Sequence, residues 1–96
     1  MALESYPGDP MANYNLANAL VRLGRHDEAI DAFQRAIASK PRVSYLRHNY
    51  AILLARGGRL EEAERQLRMA VQLDPAATES IRAMERVQAM RAGGQP

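Results

Sequence analysis

From residue 10 onward, apolar positions recur at steps of three and four, and the recurrence is broken at regular places. Leu16, Ala17, Leu20, Val21 and Leu23 predict a first helix with one apolar stripe. Gly24 follows, suited to the left-handed backbone that closes a helix. Ala29, Ile30, Phe33, Ala36 and Ile37 predict a second helix, which Pro41 stops. Leu46, Tyr50, Ala51, Leu53 and Leu54 predict a third, broken at Gly57 and Gly58. Ala63, Leu67, Ala70 and Val71 predict a fourth ahead of Pro75, and Ile81, Met84, Val87 and Met90 a fifth with one apolar face. Asp9 and Ser44 are the expected N-terminal caps of the first and third helices, and Pro10 suits a first turn.

The pattern is written twice. Asp27 to Pro41 reads DEAIDAFQRAIASKP, and Glu61 to Pro75 reads EEAERQLRMAVQLDP. Residues 10–43 set against 44–77 share ten identities without an insertion: Asn15/Asn49, Ala17/Ala51, Leu20/Leu54, Arg22/Arg56, Gly24/Gly58, Arg25/Arg59, Glu28/Glu62, Ala29/Ala63, Ala36/Ala70 and Pro41/Pro75. The repeated alanines have a steric reading. A methyl group lets two helix backbones approach closely, and Phe33 and Leu67 fill the space beside them.

These positions resemble the tetratricopeptide repeat family. That family sets large, small, apolar, small, aromatic, small and proline positions at fixed offsets in a 34-residue helix–turn–helix unit. They fall here on Leu16, Ala17, Leu20, Ala29, Phe33, Ala36 and Pro41, then on Tyr50, Ala51, Leu54, Ala63, Leu67, Ala70 and Pro75. Asn13 and Arg47 stand where the family usually has a large apolar residue, and Leu20 and Leu54 replace a common Tyr. The resemblance implies an all-α fold, a right-handed superhelix of antiparallel helix pairs with about five helices. Repeats are expected at 10–43 and 44–77, a capping helix at 78–91 and a disordered tail at 92–96. Residues 1–9 are expected to be a tail or the remnant of a preceding repeat, because Pro7, Pro41 and Pro75 share one register and set Leu3–Tyr6 where a second helix ends. Glu85 takes the place of Ala17 and Ala51, so no further helix is expected to pack on the fifth.

The resemblance also implies a binding groove lined by first-helix residues. Its offsets fall on Met11, Tyr14, Asn15, Asn18 and Arg22, then on Tyr45, His48, Asn49, Ile52 and Arg56, with Glu79, Arg82 and Arg86 from the fifth helix. Asn15 and Asn49 share one offset and are expected to form an amide ladder, each able to donate to and accept from a peptide backbone. Sugar-transferring members of the family look similar there. Members that clamp an acidic C-terminus use basic positions that fall here on Tyr14, Glu79 and Ala83, so that clamp is not expected. Arg22 and Arg56 at the rim can meet ligand carboxylates.

Composition narrows the classes. The chain has 96 residues, no cysteine and a net charge of +2, which suits one small domain without a thiolate metal site. No apolar run is long enough for a membrane span, and no leader pattern opens the chain, so a cytoplasmic protein is expected. Basic residues are spread over all the helices, and only Tyr14 and Tyr45 offer stacking, so no nucleic-acid partner is expected. Glu61/Arg65 and Glu64/Arg68 read as ion pairs one helical turn apart. His26, expected in a turn, and His48, on a first helix, make no metal site, and Met69, Met84 and Met90 read as packing atoms. The expectation is a non-enzymatic module without a cofactor, holding an extended peptide or a partner helix. The alternatives are a homo-oligomeric scaffold joined through Met11, Leu16 and Leu23, or the targeting segment of a larger enzyme such as a glycosyltransferase or a peptidase.

Overall fold

A computed structural model describes residues 10–93, and its secondary structure is entirely helical. The helices are α1 (Pro10–Arg22), α2 (His26–Ser39), α3 (Ser44–Arg56), α4 (Leu60–Leu73) and α5 (Thr78–Gly93). The expected Asp9 cap, the Leu3–Tyr6 register and the last three residues lie outside the described residues. No described helix is long and apolar enough to cross a membrane.

The turns explain why each pair folds back on itself. Gly24 and Gly58 adopt φ of 78° and 85°, which an L side chain resists. Around Gly24, the Arg25 amide donates to the Leu20 carbonyl at 2.9 Å and the Gly24 amide to Val21 at 3.0 Å. Around Gly58, Arg59 donates to Leu54 at 2.9 Å and Gly58 to Ala55 at 3.0 Å. Each set is a Schellman closure that satisfies the last carbonyls of a helix.

The helix starts differ from expectation. Ser44 is the first residue of α3 rather than its cap, a position held by Val43 in extended backbone with no side-chain hydrogen bond. His26 opens α2 rather than lying in the turn, behind Arg25 as a cap without a side-chain bond. Arg59 does the same for α4. Asp27 and Glu28, and again Glu61 and Glu62, place negative charge in the first turn, where the helix dipole favours it in place of a cap.

The chain forms two compact units, one through Arg42 and one from Val43. In the first, α1 packs on α2. Its buried residues are Asn13, Ala17 and Leu20 from α1, and Ala29, Ala32, Phe33 and Ala36 from α2. Leu16 and Leu23, expected on the apolar stripe, are 45% and 69% exposed. Among the described residues of this unit, α2 is the one helix packed on α1, and Leu16 remains half exposed.

In the second unit α4 packs against both α3 and α5, and α3 touches α5. Leu46, Tyr50, Ala51, Leu53, Leu54, Ala63, Leu67 and Ala70 are buried, as their spacing predicts. Arg47 is also buried, its guanidinium donating to Gln66 Oε1 at 2.9 Å and to Met69 Sδ at 3.5 Å. The polar residue at a usually apolar position is thus satisfied from α4.

The fifth helix corrects two expectations. It runs through Gly93, beyond the expected end at 91 and into the stretch expected to be disordered. Its buried face is Ser80, Ala83 and Val87, while Met90 is 46% exposed. A spacing of three falls about 60° short of a full turn on an α-helix, so the apolar positions from Ile81 to Met90 drift round to opposite sides. Glu85 is exposed at the offset where Ala17 and Ala51 are fully buried.

Candidate functional site

The site residues of the second unit lie on the side of α3 that its core positions leave free. Leu46, Tyr50, Leu53 and Leu54 turn inward, so Tyr45, His48, Asn49, Ile52 and Arg56 fall on another side at steps of one, three and four. Together with α5 they line two open clefts. The first, about 390 Å³, is bounded by Ser44, Tyr45, His48 and Asn49 from α3, by Asp74 and Ala77 from the turn, and by Thr78, Glu79 and Ser80 from α5. His48 Nδ1 lies 2.8 Å from Ser80 Oγ, which fixes the imidazole at the cleft wall. The second, about 220 Å³, is bounded by Ile52, Ala55, Ala83, Val87 and Met90, with Arg56 and Arg86 beside them. Ala83 and Val87 are buried and both arginines exposed, so this cleft has an apolar floor and a cationic rim.

Seven expected residues are therefore brought together: Tyr45, His48, Asn49 and Glu79 in the first cleft, and Ile52, Arg56 and Arg86 in the second. Arg82 is exposed on α5 and lines neither. In the first unit, Tyr14 is half-buried, its ring edge-on to Phe33 with centroids 6.2 Å apart at 65°. It therefore contributes to packing as well as to surface. Asn15 and Arg22 are exposed and Asn18 half-buried. Ser80 and Thr78 are cleft residues that the expected phase of α5 hides. Ser80 belongs to the buried face of α5 with Ala83 and Val87, and Thr78 is exposed beside it.

A second polar cluster lies between α4 and α5. Glu64 is 6% exposed and accepts hydrogen bonds from Gln88 at 2.9 Å, from Arg68 at 3.1 Å and from Arg91. Hydrogen bonds from Gln88 and then Arg91 hold its carboxyl below the usual carboxylate range, against the opposing effect of burial. The Glu64–Arg68 pair appears as its spacing predicts. Glu61, expected to reach Arg65, stands 4.0 Å from Arg91. A carboxylate on the buried stripe between Ala63 and Leu67 is the signal that Glu64 needed partners from another helix.

A family model described as Tetratricopeptide repeat matches residues 2–44 and 14–78. The TPR repeat-containing thioredoxin TTL4 of Arabidopsis thaliana is 41% identical over 59 residues, which make up 62% of this chain and 9% of that protein. The chain therefore spans less than a tenth of that relative's length. Among solved structures, the fold is similar to the second TPR of Spaghetti (RPAP3) bound to the HSP90 peptide SRMEEVD. The TM-score is 0.83 at 20% identity, over 88% of this chain and 79% of that one. MamA is similar with a TM-score of 0.87 at 18% identity, over 91% of this chain and 51% of that one. The Yersinia enterocolitica type III secretion chaperone SycD, in complex with a peptide of the translocator YopD, has a TM-score of 0.69 at 24% identity, over 86% of this chain and 63% of that one. At these identities the likeness establishes a shared helical-repeat fold.

Proposed function

The chain belongs to the tetratricopeptide repeat family, and on that premise we propose that it is a non-catalytic protein-interaction module. Its ligand is an extended peptide or a partner helix, held on first-helix residues of α1 and α3 and on α5. The observation that carries this reading is the pair of clefts beside α3, where Tyr45, His48, Asn49, Ile52 and Arg56 meet solvent while the repeated alanines are buried. The mix of amide, imidazole, phenol, apolar and guanidinium groups suits a peptide, which offers backbone polar groups and side chains at short intervals. Similar folds whose structures hold an HSP90 peptide or a YopD peptide give the reading a precedent.

Asn15 and Asn49 contribute backbone contacts that do not depend on ligand sequence. With a peptide selected from a random display library, Asn15→Ala combined with Asn49→Ala weakens binding by about 1–3 kcal/mol per lost polar pairing. Calorimetry reads this, and circular dichroism checks that the helices are intact. Unchanged affinity rejects the ladder.

A second reading is self-assembly. Met11, Leu16 and Leu23 are 51%, 45% and 69% exposed, an apolar presence in the first unit that a second copy would cover. Sedimentation across a concentration series then shows a rise in mass, and a monomer at every concentration removes the reading.

A further inference from the structure

The two clefts beside α3 differ in charge, and their order along both helices is the same. The first uses early residues of α3 and α5 and carries Asp74 and Glu79. The second uses late residues of both helices and carries Arg56 and Arg86. Among the described residues, neither the Arg56 nor the Arg86 side chain has a hydrogen-bond or ion-pair partner. The helix dipoles run opposite to this side-chain polarity, but they amount to about half a charge and fade within a turn. Full side-chain charges therefore dominate.

Building on the peptide-binding reading above, we infer that this face takes an extended segment of a partner protein in one charge order. An apolar side chain enters the second cleft, over the buried Ala83 and Val87 and beside Ile52. A carboxylate just beyond it meets Arg56 and Arg86, and a cationic residue on the other side lies toward Asp74 and Glu79. Spacing sets the length. His48 and Arg56 are about 12 Å apart along the α3 axis, which an extended chain covers in about four residues. Side chains two apart point to one side of an extended chain, so the motif is cation, spacer, apolar, spacer, carboxylate. Two guanidinium groups on one carboxylate give charge-assisted bonds, and the apolar floor excludes water beneath them.

The test uses blocked peptides titrated into the intact chain and followed by amide NMR. The first is acetyl-Lys-Gly-Leu-Gly-Glu-amide, and the second carries Gln in place of Glu. The expected result is roughly tenfold tighter binding of the first, within the range of a charged hydrogen-bonded contact. That advantage falls with added salt. It vanishes in a chain carrying Arg56→Gln and Arg86→Gln, whose exposed positions leave the fold untouched. A spin label on the Glu end broadens amides near Ile52 and Met90 rather than near Tyr45 and Glu79. Equal affinities, or broadening at Tyr45 and Glu79, with both peptides still shifting α3 and α5, overturn this inference and leave the binding face standing. Shifts absent from α3 and α5 with both peptides overturn the inference and the binding face together.

Discussion

Ala17, Ala29, Ala36, Ala51, Ala63 and Ala70 have no exposed surface at all. At each, the methyl group is fully enclosed. Ala29→Leu or Ala63→Leu should therefore overpack its helix pair and lose about 1–3 kcal/mol, seen as a lower melting temperature. An unchanged melting temperature would contradict the packing. Glu64 makes a different residue-scale prediction. Its carboxyl is held below the usual range by Gln88 and Arg91, so its contribution is present at neutral pH and lost as acid protonates it. Glu64→Gln should be less stable than the parent at neutral pH, and the gap should close as pH falls through and below the ordinary carboxylate range. A gap that stays constant with pH in chemical denaturation would remove the cluster's role. The alanines are legible in the sequence because they recur at one offset. The partners of Glu64 are not, because Gln88 and Arg91 come from positions 24 and 27 residues away.

Helix ends and helix phases are legible to different degrees. Gly24 and Gly58 mark both closures, since left-handed backbone favours glycine wherever a helix stops this way. A methyl added at either meets nothing within 4 Å, so the cost of substitution is backbone strain and not collision. Gly24→Ala and Gly58→Ala should each cost about 1–2 kcal/mol, read from urea denaturation midpoints. A shift at one site but not the other would show that the two turns are not equivalent. Ser44 misleads as a cap because α3 starts one residue earlier than that reading, behind Val43 in extended backbone with no side-chain hydrogen bond. The phase of α5 misleads because four apolar residues at intervals of three imitate a stripe on paper and spiral on a helix. This error hides Ser80 and Thr78 from the cleft and leaves the Glu64 cluster unseen. On α3, each expected site residue lines a cleft, with Ser44 and Ala55 beside them.

For the molecule as a whole, the repeat fold and family follow from positions that pack, and the binding reading follows from positions that do not. The same 34-residue interval that aligns buried alanines also sets Asn15 with Asn49 and Arg22 with Arg56. Equal offsets alone do not distinguish a ligand-binding ladder from solvated surface. The second unit adds geometry to this choice, since α5 turns the α3 surface into two walled clefts of unlike charge. Open apolar residues on α1 supply the competing outcome of self-association. One measurement separates these outcomes most directly: amide NMR of the intact chain during titration with a peptide selected for binding. The account predicts shifts concentrated at the site residues of α1, at residues 45–56 and at residues 78–90. Shifts confined to α2 and α4 would contradict it.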